Sequence, residues 1–217
     1  MIDKEGLKVR PNIAIINYGM GNLRSVYNAF KKIGAHPLIT NSEEEILGSD
    51  GLVLPGVGAF PEAISNLRNL GLDKIIYKAV QKNKKPILGI CLGMQLLAEV
   101  SYENGTHSGL SLIEGSVIKI PFKKALRIPH VGWNDILKTE YCPLFKNIKN
   151  GSSFYFVHSY FFDTEEKNIC LKVNYGKLIT AAIQKEHIFG VQFHPERSQT
   201  YGLECISNYA KFTCGNI

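Results

Sequence analysis

Short unbroken apolar runs alternate with longer stretches in which apolar residues return every three or four positions, and this alternation fills roughly the first half of the chain. Asn12 to Asn17 (NIAIIN) is the first such run, ended by Tyr18-Gly19, and reads as a central strand. Leu23, Val26, Tyr27, Phe30 and Ile33 then recur at helical spacing until Gly34 stops them, which predicts a crossover helix. Ala35 to Thr40 and Gly51 to Leu54 read as the next strands, with Ser42 and Glu45 spaced as a capping box for a short helix between them. Pro61 suits the start of a helix, and a further helix is expected over Leu72 to Val80. Pro86 to Ile90 (PILGI) reads as the fourth strand and Leu92 to Val100 as a helix. Only Cys91 stands between them. Later segments turn β-rich: Ser116 to Ile120, Phe154 to His158, Ile179 to Gln184 and Ile188 to Phe193, closed by a helix over Leu203 to Phe212.

Strands alternating with helices imply parallel strands with helices on both faces. The expected fold is α/β, a three-layer domain around a central mixed, mostly parallel sheet. A length of 217 residues fits one domain, 1–217, with residues 1–11 as an extension ahead of the first strand. With 45% hydrophobic and 20% charged residues, disordered and fibrous classes are set aside. The net charge of +6 includes clusters at Lys82, Lys84, Lys85 and at Lys119, Lys123, Lys124, but it is too diffuse for a nucleic-acid stripe. Five cysteines without a C-x-x-C pair fit a disulfide framework poorly. No signal-like N-terminus and no membrane-length apolar run occur, so the expectation is a cytoplasmic chain without a membrane partner.

Gly89-Ile90-Cys91-Leu92-Gly93, with a strand before and a helix after, has the G-x-nucleophile-x-G form of a nucleophile elbow. Flanking glycines relieve the clash between strand and helix and force the central side chain outward, while the helix N-terminus favours a thiolate. A cysteine nucleophile needs a base, and the base an orienting group. His194-Pro195-Glu196 follows an extended run, and residues i and i+2 of an extended chain point to the same side. His194 is therefore the candidate base and Glu196 its orienter. For the oxyanion, the N–H of Leu92 follows the nucleophile directly, and the N–H of Val57 in Pro55-Gly56-Val57-Gly58, placed after a strand, is the second candidate. Gly19-x-Gly21 resembles the start of a dinucleotide fingerprint, but Arg24 stands where its third glycine belongs, so no nucleotide site is expected.

G-I-C-L-G-M-Q at 89–95, P-G-V-G at 55–58 and H-P-E at 194–196 together resemble the class I, triad-type glutamine amidotransferase family, over nearly the whole chain. Asn17-Tyr18-Gly19-Met20-Gly21-Asn22, Pro129-His130-Val131-Gly132-Trp133-Asn134 and Tyr155-Phe156-Val157-His158-Ser159-Tyr160 resemble the branch of that family serving imidazole glycerol phosphate synthase. The resemblance implies a flavodoxin-like fold, L-glutamine as substrate, a thioester on Cys91, no metal or cofactor, and a (β/α)8 cyclase subunit receiving the ammonia in a heterodimer. By matching position it places Gly58, Gln95, His158, Ser159 and Tyr160 at the glutamine, and Asn17, Trp133, Asn134 and Tyr155 toward the partner. From the residues alone, Trp133 serves equally as a core or an interface residue. Ser111 and Glu114, where the family pattern leads one to expect glycine and often proline, leave room for a paralogue feeding ammonia to a bacterial surface sugar. A stand-alone cysteine hydrolase is the other alternative. The isolated chain is expected to turn over glutamine poorly, with the 55–58 segment presenting its amide only when the partner holds its ligand.

Overall fold

The computed structural model of the protein describes residues 10–121 and 126–215; residues 1–9 of the expected extension, and Lys123 and Lys124 of the second basic cluster, lie outside them. The first half runs β1 (Asn12–Ile16), α1 (Leu23–Lys32), β2 (His36–Thr40), α2 (Glu43–Gly48), β3 (Gly51–Gly56), α3 (Phe60–Asn69), α4 (Leu72–Tyr77), β4 (Ile87–Cys91) and α5 (Leu92–Leu96). A π-helical turn over Lys78–Lys82 continues α4. The second half adds β5 (Val100–Ser101), β6 (His107–Ser108), β7 (Ser116–Lys119), β8 (His130–Lys138), β9 (Ser153–His158), β10 (Tyr160–Asp163), β11 (Ile169–Asn174), β12 (Leu178–Lys185), β13 (Ile188–Val191) and α6 (Gln199–Thr213).

Among the described residues nine strands form one mixed sheet in the order β2-β1-β3-β4-β13-β12-β11-β8-β9, and four short segments form a second sheet, β10-β7-β5-β6. The parallel part comprises β2, β1, β3, β4 and β13; the remaining pairings, β13 to β12 onward, are antiparallel. Side chains of a strand alternate between faces. Ile13 and Ile15 accordingly join one core with Phe30 of α1 and Tyr209 of α6, while Ala14 and Ile16 join the other with Phe60, Leu67 and Ile76 of α3 and α4. Burial on both faces is why these strands read as unbroken apolar runs. The Tyr209 hydroxyl donates to the carbonyls of Leu52 and Pro86, 2.6 and 2.9 Å away, which ties the last helix to β3 and to the entrance of β4.

Three expectations change. The helix predicted over Leu92 to Val100 stops at Leu96, because Leu110, Leu112 and Ser111 donate to the carbonyls of Leu96, Leu97 and Ala98 at 2.9, 2.9 and 3.0 Å and take the acceptors that further turns would use. The Ser42 capping box does not form: the Glu45 carboxylate instead accepts from the Thr40 hydroxyl. Strand β3 continues through Pro55 and Gly56, which pair with Ile90 and Cys91, so half of the P-G-V-G segment belongs to the sheet.

Candidate active site

Cys91 closes β4 and precedes α5 with φ +55° and ψ −110°, a conformation that L-residues avoid and that persists only where the surroundings enforce it. The enforcement comes from close backbone packing. A Cβ on Gly93 would stand 1.7 Å from the Leu54 carbonyl oxygen, and one on Gly89 would stand 2.7 Å from the Gly93 carbonyl oxygen. No side chain fits at either place, so the glycines of the elbow are steric requirements of a helix lying directly on β3 and β4.

His194 follows β13, which runs beside β4 with Val191 opposite Ile90. Its Nδ1 lies 2.9 Å from Glu196 Oε1, and both side chains are buried. Its backbone is fixed as well: the His194 N–H donates to the Tyr155 carbonyl at 2.9 Å, and the Ser198 hydroxyl to the His194 carbonyl at 2.7 Å. Burial works to lower the pKa of His194, but the nearby Cys91 sulfur and the charged hydrogen bond to Glu196 outweigh it and raise it to about 10. His194 Nε2 has no aligned hydrogen-bond partner, so Cys91 acts on the ring by proximity. The geometry is that of a base held by its far nitrogen and open at the near one.

Although β9 is five places from β4 in the strand order, the Val157 carbonyl is 3.8 Å from the Cys91 sulfur. The antiparallel wing therefore curls back over the C-terminal ends of the parallel strands. Under it is a cavity of about 240 Å³ with Cys91 and His194 in its wall. Val57 and Leu92, the residues expected to donate to an oxyanion, line it too. So do Gly58, Gln95, His158, Ser159 and Tyr160, which brings every expected glutamine-binding residue into one enclosure. Ser159 is the single residue between β9 and β10, where the chain passes from one sheet to the other.

The expected moving segment is narrower than its four residues. Besides the ladder to β4, the Pro55 carbonyl accepts from the buried Tyr18 hydroxyl at 2.8 Å. Burial, and then the charge of Cys91, push the Tyr18 pKa up and keep that hydroxyl protonated as a donor. The part left outside the ladder begins at the Gly56–Val57 peptide, and Val57 is 42% exposed.

Gln95 meets the cavity with one end of its amide already engaged. Its Nε2 donates to the Tyr160 carbonyl at 2.9 Å and to Gln192 Oε1 at 3.0 Å, which leaves its Oε1 as the atom available to a ligand. His158 Nδ1 lies 2.8 Å from the same Tyr160 carbonyl, and its Nε2 lies 3.0 Å from His130 Nδ1. Burial lowers both histidines, His158 to about 3 and His130 to about 4, so both are neutral. Two residues were missed from sequence. Glu103 lines the cavity and accepts from the Phe60 N–H through Oε2 at 2.9 Å. Gln192, fully buried, donates through Nε2 to the Cys91 sulfur at 3.7 Å. Glu103 stands in a loop without a pattern around it. The signal for Gln192 was a polar residue inside the apolar run Ile188 to Phe193.

Of the residues expected toward a partner, Trp133 pairs across the β8–β9 ladder with Tyr155, ring centroids 6.1 Å apart. Trp133 is 49% exposed and Val131, two residues earlier on the same face, 56%, which decides against a core role. Asn134 points to the other face and donates to the Asn174 carbonyl at 3.1 Å. Asn17 ends up at the far end of β1, where its Oδ1 accepts from the Gly19 N–H at 3.3 Å.

Residues 14–210 match the family described as glutamine amidotransferase class-I. The chain is 46% identical over 199 residues to imidazole glycerol phosphate synthase subunit HisH 1 of Campylobacter jejuni (strain RM1221), covering 92% of this chain and 99% of the relative. It is 46% identical over 197 residues to imidazole glycerol phosphate synthase subunit HisH of Bacillus cereus (strain G9842), covering 91% and 93%. The fold superposes on PurLQS from Thermotoga maritima with a TM-score of 0.70 at 17% identity, over 94% of this chain and 99% of that one.

Proposed function

The chain belongs to the class-I glutamine amidotransferases, and on that footing we propose that it is the glutaminase subunit of an imidazole glycerol phosphate synthase, working in histidine biosynthesis. One observation carries the reading of the site: a strained Cys91 faces the His194–Glu196 pair in the wall of one cavity. The Cys91 sulfur attacks the side-chain carbonyl carbon of L-glutamine, and the tetrahedral oxyanion is received by the N–H groups of Val57 and Leu92. Collapse breaks the carbon–nitrogen bond, and the leaving nitrogen takes the proton held on His194. Water then attacks the thioester and gives its proton to His194; the sulfur leaves as thiolate and glutamate is released. Glu196 keeps the imidazole oriented throughout.

Glutamine also carries an α-ammonium and an α-carboxylate. Glu103 is the carboxylate placed to pair with the ammonium, and Gln95 Oε1 is an acceptor for substrate N–H. His158, Ser159 and Tyr160 form the wall on the opposite strands. The ammonia passes to a cyclase subunit of (β/α)8 form, docked at the face of Trp133 and Tyr155, which yields imidazole glycerol phosphate and the AICAR by-product. Work in the cytoplasm is consistent with cysteines that form no disulfide among the described residues and with the absence, among those residues, of a helix long and apolar enough to cross a membrane.

The test uses the chain together with its cyclase. Cys91→Ala is expected to abolish ammonia release from glutamine while imidazole glycerol phosphate still forms when ammonium salt is supplied. Ammonia release from glutamine by that variant would overturn the assignment of the nucleophile. Failure of the unaltered pair to make imidazole glycerol phosphate would overturn the acceptor.

A further inference from the structure

The geometry points to Gln192 as a further catalytic residue, whose side-chain amide N–H donates to the Cys91 sulfur and stabilises it as the thiolate. The inference rests on the glutaminase reading of Cys91. Register explains the placement: Val191, the last residue of β13, is the partner of Ile90 across parallel strands, so the residue that follows it comes alongside Cys91, the last of β4. Its backbone is held by a 2.8 Å bond from the Gln192 N–H to the Ala181 carbonyl.

An amide could present either oxygen or nitrogen to the sulfur, and the neighbouring bonds decide which. Gln95 must direct its NH2 at the Tyr160 carbonyl, which only accepts. That same NH2 then reaches one end of the Gln192 amide at 3.0 Å, and this end has to be the oxygen. The nitrogen of Gln192 is thereby turned to the sulfur, 3.7 Å away. A fully buried amide without partners would be costly, and here both ends are engaged. Gln192 is not among the residues lining the cavity, so its effect reaches the reaction through the sulfur rather than through glutamine.

The charge on sulfur appears at defined moments. It is present before attack, is lost when the sulfur–carbon bond of the thioester forms, and returns when water cleaves that bond and the electron pair stays on sulfur. A neutral donor aimed at the sulfur favours both charged states, so it raises the share of reactive nucleophile and improves the leaving group of the second step.

The experiment compares Gln192→Met and Gln192→Glu with the unaltered chain, each assembled with its cyclase. Gln192→Met keeps length and removes the donor; Gln192→Glu replaces the donor with a carboxylate. Expected are a fall in kcat for glutamine hydrolysis of about tenfold to a hundredfold, the factor for one hydrogen bond to a charged group, with KM unchanged. The pH profile of Cys91 alkylation by iodoacetamide should move to higher pH, farther for Gln192→Glu. A folded, assembled Gln192→Met complex whose alkylation profile coincides with that of the unaltered complex overturns the inference, whatever happens to kcat. Should both substitutions prevent folding, the unaltered complex supplies the readout: the side-chain amide proton resonances of Gln192 must move as pH is taken through the alkylation midpoint, and stationary resonances overturn the inference. An unaltered complex that makes no glutamate from glutamine defeats the underlying reading as well, and is distinguished by that assay alone.

Discussion

The backbone at Cys91 makes a quantitative prediction about two variants that both lack the sulfur, Cys91→Ala and Cys91→Gly. Its ψ of −110° lies far from the left-handed helical well near +47°, so the cost of holding a Cβ there belongs at the upper end of the range for strained residues, about 3 kcal/mol. Alanine keeps that cost and glycine escapes it. Against glycine stand about 1 kcal/mol of extra chain entropy in the unfolded state and about 0.8 kcal/mol for the buried methyl group it lacks. The balance leaves Cys91→Gly more stable than Cys91→Ala by about 1 kcal/mol. At an unstrained buried position the same comparison favours alanine by about 1–2 kcal/mol, so the sign itself is diagnostic. Urea unfolding followed by far-ultraviolet circular dichroism is the suitable assay, because the single tryptophan is half-exposed and reports poorly on the core. With an m-value of about 2–3 kcal/mol/M, the glycine midpoint should be higher by about 0.4 M. A lower midpoint for Cys91→Gly, at equal m-values, would refute the claim that the elbow stores strain. Neither variant should release ammonia from glutamine.

The remaining predictions concern pH and assembly. His158 and His130 have folded-state pKa values lowered to about 3 and about 4, so the unfolded chain binds protons that the folded chain does not as pH falls below 6.5; stability should decline from there toward pH 4, with His158 alone giving a slope of about 1.4 kcal/mol per pH unit. His194 acts in the opposite sense, since its raised value of about 10 lends stability that is complete below pH 6.5 and lost as pH rises toward 10. Both limbs are read from unfolding midpoints across pH, and a Cys91→Ala chain should show a weaker alkaline limb. Trp133→Ala should weaken binding of the cyclase by about 2 kcal/mol or more, measured by calorimetric titration, while shifting the stability of the free chain by less than about 0.5 kcal/mol. Unchanged affinity would remove Trp133 from the docking face.

The legible parts of this site are those whose cause is local. Gly89 and Gly93 advertise the elbow because the backbone contacts they permit exclude every other residue. His194 and Glu196 were readable as a pair, although the extended spacing behind that reading does not hold: Pro195–Arg197 is a 3-10 turn, and the 2.9 Å contact between the two side chains is made across it. What escaped was decided by distant segments. The helix after Cys91 ends early because residues 110–112, outside any pattern that includes it, take its carbonyls. The Ser42 capping box was lost to a hydroxyl on the preceding strand. Strand β8 shows no alternation to the eye, since its outward positions carry Val131, Trp133 and Leu137, apolar residues on a face that is exposed in the isolated chain. An exposed apolar face breaks the rule by which half-buried strands are recognised.

The two neutral histidines also fix a polarity that no single contact reveals. His158 Nδ1 faces a carbonyl at 2.8 Å and must carry the hydrogen; being neutral, the ring then has a bare Nε2. His130 Nδ1, 3.0 Å from that nitrogen, must therefore be the donor, and its own Nε2 is left to accept from the Asn134 amide at 3.4 Å. Protonating His158 would set two hydrogens against each other across the 3.0 Å gap, which is why burial that holds it at about pH 3 is a condition of the arrangement. The Tyr160 carbonyl at the end of this series also receives Gln95, and through Gln95 the orientation of Gln192 is set against the sulfur. Asn134, beside Trp133 on β8, and Cys91, at the end of β4, thus stand at the two ends of one continuous set of hydrogen bonds in which every donor and acceptor role is determined.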